Sequence, residues 1–240
     1  SEGTRYGEFY GYIAEGYFQS EEEIKKSPRQ MRELAPGDIK YKDLNDDGVI
    51  DANDQCYLGK SWFPSWSYGM GFNINYHNFD LALFFQGVSD VSIMANGGSI
   101  DTGNGDWGAS GVGIVPFTGM GLNPSNVITK ALDRWTADNP RADAWYPRMT
   151  ANATTNDNNY VNSTHWLKDG SYLRLKQASL GYTLENKKLM DKGIEYLYFY
   201  LSGQNLLTFS KFKLWDPELG SNGAKYPLSR MVTLGMRVSF

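Results

Sequence analysis

Much of what builds enzymes, zinc sites and membrane helices is scarce in this sequence. Cys56 is the single cysteine among 240 residues, so no disulfide can form within the chain and no CxxC metal site exists. Histidine occurs twice, at His77 and His165, which leaves little material for a histidine-built zinc site or triad. There is no basic run and the formal net charge is -4, which argues against nucleic acid as a partner. No GxSxG, HExxH or P-loop motif is present. Acidic pairs such as Asp138 with Asp143 have no spacing that would set them across a cleft, so no catalytic residue is assigned and no enzyme is expected. No apolar run approaches the ~20 residues of a membrane helix. That excludes a helical span only, because a barrel strand needs about ten alternating residues. An initiator Met and a signal peptide are also missing. The chain begins at Ser1 within an aromatic, glycine-rich passage, so the start of a parent protein is expected elsewhere.

What is abundant is aromatic residues and glycine. Aromatics make up 15%, with 16 Tyr, 12 Phe and 7 Trp, beside 26 Gly, and the mean hydropathy is negative. A wall that is apolar on alternate positions, with its aromatics gathered at two water interfaces, has this composition. A secreted β-sandwich shares it, so the pattern along the chain must decide.

Residues 68–87 (YGMGFNINYHNFDLALFFQG) alternate with period two on two arms. Tyr68, Met70, Phe72, Ile74 and Tyr76 share a face on the first arm, and Phe79, Leu81, Leu83 and Phe85 share one on the second. Gly69, Gly71, Asn73, Asn75, Asp80 and Gln86 fall opposite, with Phe84 the exception. A very short turn at His77-Asn78 joins the arms, Asn being tolerant of the left-handed conformation. The last ten residues, MVTLGMRVSF, repeat the pattern, with Val232, Leu234, Met236, Val238 and Phe240 on one face. Ending on an aromatic in mid-strand is a mark of outer-membrane barrels. Residues 171–184 alternate with a one-residue slip near Lys176-Gln177, which predicts a β-bulge. Residues 195–206 form a fifth strand whose faces the pattern leaves unassigned. The connections alternate between short (77–78, 185–193) and long (88–170, 207–229 and everything before 68). Outer-membrane barrels have short periplasmic turns and long extracellular loops, and strand parity counted back from Phe240 puts both short turns on the periplasmic side. Five strands cannot close a barrel, since open edges in lipid leave backbone groups unpaired; further wall is expected from outside this chain.

The densest local motif is DLNDDGVIDAND, residues 43–54. Counted from Asp43, oxygen-bearing residues stand at one (Asp43), three (Asn45), five (Asp47), nine (Asp51) and twelve (Asp54). Gly48 is at six, where an EF-hand loop turns sharply, and Val49 at seven would offer its carbonyl. Crowded carboxylates repel unless a cation offsets them. The expected ligands are therefore Asp43, Asn45, Asp47, Val49, Asp51 and Asp54, with Ca²⁺ favoured and Mg²⁺ possible, because Asp54 stands where a longer Glu would be bidentate. The other reading is a solvated acidic turn. The seven Trp residues fall outside the five strands so defined; loop aromatics pack loops together more often than they stack on sugars. Two glycosylation triplets, at Asn152 and Asn162, carry little weight in a bacterial envelope.

Several stretches taken in order, among them EFYGYIAEGYFQ, PGDIKYKDLNDDGVIDAND, FDLALFFQG, RWTADNPRADAWYPRM, DGSYLRLKQASLGYTL, SGQNLLTF and RVSF, resemble the C-terminal part of SusC/RagA-type TonB-dependent outer-membrane transporters. The resemblance covers nearly the whole chain and is weakest over 88–126. It implies an all-β fold, the C-terminal antiparallel strands of a transmembrane β-barrel with long extracellular loops. Residues 1–67 would be an extracellular loop region holding the metal loop (43–54), and 68–240 the last five strands with extracellular loops 88–170 and 207–229. It further implies import of glycans or peptides across the outer membrane of Bacteroidetes, powered through TonB by an N-terminal part that these residues lack. A SusD-like surface lipoprotein would serve as lid, and the remainder of the barrel and plug would complete the protein. Substrate residues do not carry over. The alternative is a soluble Ca²⁺-stabilised β-domain that binds carbohydrate; it would bury Phe72, Ile74, Leu81 and Leu83 in a core, where the barrel would turn them to lipid.

Overall fold

The computed structural model describes residues 3–96, 129–149, 157–221 and 226–240; Trp107 and the Asn152 triplet lie outside them. Strands appear in the order β1 (Glu8–Gly11), β2 (Ala14–Tyr17), β3 (Ile39–Tyr41), β4 (Cys56–Ser61), β5 (Trp66–Tyr76), β6 (Phe79–Ser89), β7 (Ser92–Met94), β8 (Leu167–Asp169), β9 (Tyr172–Leu184), β10 (Tyr196–Ser210) and β11 (Met231–Ser239), with short helices α1 (Glu21–Lys26) and α2 (Lys187–Met190). Two compact units interleave along the chain. One comprises Ser1–Phe63, Val91–Asp169 and Leu214–Lys225; the other comprises Pro64–Asp90, Gly170–Lys213 and Tyr226–Phe240. The sequence pattern cuts the chain once, at 67/68. The structure cuts it at 63/64 and then gathers most of 88–170, with part of 207–229, into the same unit as the first 63 residues.

The second unit is one antiparallel sheet in the order β11-β10-β9-β6-β5. Each of the five strands expected from the sequence is there. β5 and β6 are eleven residues each, the length a tilted strand needs to cross a bilayer. The two-residue turn between them is built with His77 in the left-handed region (φ 49°), not Asn78. The bulge falls where the alternation slips: Phe84 pairs with Gln177 and Phe85 with Leu175, so Lys176 is the extra residue. The connection between β9 and β10 holds one helical turn, α2, whose first turn is capped by the Asn186 side chain accepting from Lys188 N.

The first unit has three two-stranded antiparallel ribbons, β1-β4, β2-β3 and β7-β8. Their residues close over a core rich in aromatics, including Tyr12, Tyr17, Tyr41, Trp135, Tyr146, Tyr160 and Trp166. Tyr160 stacks on Trp166 at 5.8 Å and Trp145 meets Trp166 edge-on at 5.6 Å. For Trp135, Trp145 and Trp166, packing is therefore what the rings do. Helix α1 is capped by Ser20, with glutamates in its first turn and lysines in its last, matching the helix dipole.

Candidate functional site

The pairing register converts the alternation of single strands into faces of a whole sheet. Paired residues share a face, so Ile74, Leu81, Leu180, Leu201 and Leu234 form one aliphatic row across all five strands. Beside it run Phe72, Leu83, Ala178, Gly203 and Val232 on one side and Tyr76, Phe79, Tyr182, Phe199 and Met236 on the other. This assigns the faces of β10: Leu197, Phe199 and Leu201 lie on the apolar side and Tyr198, Tyr200 and Ser202 opposite. The apolar side chains stay open, with Leu234 80% and Val232 65% exposed. A soluble domain would cover such a face.

The other face is polar. Asn73, Ala82, Ser179, Ser202 and Thr233 make one row, and Gln86 pairs with Arg174 in another. Its few aromatics occupy gaps left by glycine. Phe84, the exception to the alternation, lies over Gly69 and Gly71, where an added Cβ would come within 3.3 and 3.8 Å of its ring. Tyr198 covers Gly181 and donates a 3.0 Å hydrogen bond to Asp80, and Tyr200 covers Gly235. An aromatic over a cross-strand glycine restores the packing that glycine gives up.

In the acidic loop the sharp turn is made as the motif requires, with Gly48 at φ 83° after Asp46 at φ 58°. Gly48 N donates to Asp43 Oδ2 (2.8 Å), Asp47 N to Asn45 Oδ1 (3.1 Å), Val49 N to Asp47 Oδ1 (2.9 Å) and Asn53 N to Asp51 Oδ1 (2.7 Å). Asp54 is buried, and its two oxygens accept from Leu44 N (2.7 Å) and Asp51 N (2.8 Å). Burial raises the Asp54 pKa, but the backbone N–H donors outweigh it and hold the carboxyl below its usual range. The loop is tied to the fold by Arg29: its N donates to Gly48 O (3.0 Å) and its O accepts from Ile50 N (2.8 Å), while Ile50 is buried in the core.

Among the described residues no three Asp, Glu, His or Cys side chains converge as metal ligands. Two features nevertheless fit a cation. Asp43 Oδ1 is buried and has no hydrogen-bond partner, and the carboxyls of the first and twelfth loop positions face one another. Two ionised carboxylates at that range need a shared proton or a cation between them.

The sequence gives no hint of a buried polar network in the first unit. Arg148 Nε and Nη2 donate to both oxygens of Asp38 (2.9 Å each), whose side chain is 1% exposed. Asn159 Nδ2 donates to Asp38 Oδ1 (2.8 Å), and Asn159 Oδ1 accepts from Ile39 N (2.8 Å). Gln30 and Asn158 join them around β3. These partners lie up to 121 residues apart, so no local spacing reveals them. Asn162 of the second glycosylation triplet is engaged too, its Oδ1 accepting from Asn96.

No family model matches the chain. Curated relatives include TonB-dependent receptor P26 of Formosa agariphila, 30% identical over 97% of this chain, and TonB-dependent receptor P3 of the same organism, 28% identical over 100%. In each case the chain spans 22% of the relative's length. Among solved structures, the RagAB peptide importer in its open-open state matches with a TM-score of 0.63, 23% identity and coverage of 97% of this chain and 22% of that one. A structure of the RagAB peptide transporter matches with the same score at 22% identity. Over nearly its full length the chain is similar to TonB-dependent receptors, and it has the fold of about a fifth of a RagAB chain.

Proposed function

We propose that this chain is the wall-and-loop portion of an outer-membrane TonB-dependent transporter. The second unit forms five strands of the barrel wall, and the first forms an extracellular domain. The observation that carries the reading is the pair of faces on a single sheet: an open aliphatic face suited to hydrocarbon and a polar face suited to a water-filled or plugged lumen. Among the described residues β11 and β5 are the two edges of this sheet, where wall from the rest of the parent protein would pair. The parent takes up a glycan or a peptide together with a SusD-like surface lipoprotein. The peptide importer among the structural neighbours favours neither cargo for this chain, because extracellular loops vary with substrate.

Cysteine labelling in intact cells tests the wall reading. Cysteines placed at Leu83 and Leu201 resist a water-soluble maleimide, whereas cysteines at Ser179 and Ser202 react once the lumen is opened to it. Labelling that fails to alternate between the two sets removes the reading. Loss of uptake of one oligosaccharide or peptide class on deletion of the parent identifies the cargo.

We further propose that the 43–54 loop holds Ca²⁺ through Asp43, Asn45, Asp47, Asp51, Asp54 and the Val49 carbonyl. The ion neutralises facing carboxylates and stiffens the loop. Calorimetric titration of the chelator-treated parent with Ca²⁺ gives a binding heat that Asp43→Ala abolishes. An identical heat from that variant shows that the loop is not the site.

A further inference from the structure

Three neighbouring aromatic rings of the first unit are left open just past the end of the β1-β4 ribbon where Glu8 pairs with Ser61. Tyr6 is 74% exposed, and Trp62 and Phe63 are 52% each. Their centroids lie 5.8 Å (Tyr6 to Trp62), 5.8 Å (Tyr6 to Phe63) and 6.0 Å (Trp62 to Phe63) apart. The cluster is held in place from below. Trp62 N donates to Gly7 O (3.1 Å), Ser61 Oγ donates to Tyr6 O (2.7 Å), and Phe63 N donates to Ser61 Oγ (2.9 Å). Gly7 has φ +69°, and a Cβ there would come within 2.6 Å of the indole Nε1. The indole therefore rests directly on the Gly7 backbone, and only glycine permits that seat.

The chemistry around the rings favours an amphipathic surface over a sugar. A saccharide platform pairs its stacking ring with free carboxylates or amides that take hydroxyls. The nearby carboxylate, Glu8, spends its oxygens on backbone donors, Oε1 on Gly59 N (2.6 Å) and Oε2 on Arg5 N (3.1 Å). What remains is a Phe ring, a phenol, an indole and the Arg5 guanidinium, which donates to Phe63 O at 3.4 Å. Aromatic rings with a polar tip, beside a cation, are the side chains that settle at the boundary between headgroups and acyl chains. Position along the chain agrees. Phe63 stands three residues before Trp66, the first residue of β5, a reach of at most about 10 Å. Trp66 is itself 68% exposed.

We infer that Tyr6, Trp62 and Phe63 form an anchor of the extracellular domain in the outer-leaflet lipid surface, an extension of the aromatic girdle beyond the wall strands. Phe63 and the benzo edge of Trp62, the side of the indole away from Gly7, dip toward the acyl chains, while the Tyr6 hydroxyl meets headgroups. The inference rests on the reading of the second unit as membrane wall, with the 66 end of β5 outward.

The test uses the full parent receptor with its native cysteines, Cys56 included, replaced by serine. It is reconstituted in phosphatidylcholine–phosphatidylglycerol vesicles with a nitroxide attached at Phe63→Cys. Leu83→Cys serves as the mid-wall reference and Asp46→Cys as the aqueous reference, and Tyr6→Cys repeats the measurement should the first variant fold poorly. The ratio of oxygen to nickel-complex accessibility at position 63 is expected severalfold above that at 46 and below that at 83. A water-like ratio at 63 with a lipid-like ratio at 83 overturns the anchor but leaves the wall standing. If that water-like site becomes protected on adding an oligosaccharide or peptide mixture, the rings are a ligand platform. Water-like ratios at both 63 and 83 overturn the wall, and the anchor with it.

Discussion

Replacing Leu83 by arginine puts the assignment of faces to a quantitative test. Leu83 is the fifth of eleven residues in β6, paired with Phe72 on β5 and Ala178 on β9. Four residues from the strand's start at ~3.3 Å each, projected through a tilt of about 40°, place it roughly 10 Å inside a band about 25 Å tall. That is close to the midplane, where an arginine on the lipid side costs about 2–4 kcal/mol, or roughly 30- to 1,000-fold in the folding equilibrium. Asn73→Arg is the matched control. Asn73 faces the other way, in the row with Ala82, Ser179, Ser202 and Thr233, where water or polar groups receive the charge at a cost below about 1 kcal/mol. Urea unfolding of the parent in lipid vesicles reads both, and the separation of the two midpoints is the measurement. Equal midpoints, or a costlier Asn73 variant, would mean that the aliphatic rows face protein rather than lipid.

Two further outcomes concern the first unit. Asp38→Ala takes the bidentate acceptor from the Arg148 guanidinium and the shorter acceptor from Asn159 Nδ2; since Arg148 keeps partial access to water, the expected loss is about 3 kcal/mol, read as a fall in denaturation midpoint, and an unchanged midpoint would show the network to be ornamental. His165 governs the acid side: burial, then the Lys168 charge, holds its imidazole down to about 3. The unfolded chain binds that proton below about 6.5 and the native one does not, so stability falls as pH drops from about 6.5 toward 3. Between pH 6.5 and 5, above the carboxylate range, His165→Gln should flatten the decline; a slope that survives the substitution assigns it to another group.

Four of the five strands of the second unit were legible because they obey period two on their own: Tyr68 to Tyr76 and Val232 to Val238 need no partner to declare a face. The slip at Lys176 was readable for the same reason, as a break in a local rhythm. β10 was not, since Tyr196, Leu197, Tyr198 and Phe199 are all apolar enough to fit either side, and only pairing with Thr183 and Tyr182 separates them. Phe84 violates the alternation until Gly69 and Gly71 are seen beneath it. Trp66, read as a loop residue, is the first residue of β5. The first unit was the least readable part. Its stability depends on partners such as Asp38 with Arg148, more than a hundred positions apart, and long-range side-chain pairing leaves no periodicity in the chain. The proposed ligand positions of the 43–54 loop come from spacing alone, and the orphaned Asp43 Oδ1 is what the structure adds.

The spacing of the aromatic rows sets a thickness. Tyr76 and Tyr68 stand eight residues apart on β5, bounding the aliphatic rows between them. At ~3.4 Å per residue that is about 27 Å along the strand, or roughly 20 Å once tilted by about 40°. On the reading as membrane wall, a slab that shallow is nearer to the band of about 25 Å of outer-membrane barrels than to a thicker bilayer, at a fraction of a kcal/mol for each ångström of mismatch. Summed around a closed ring of strands, that mismatch would sort the protein toward the thinner of two membranes without any address signal.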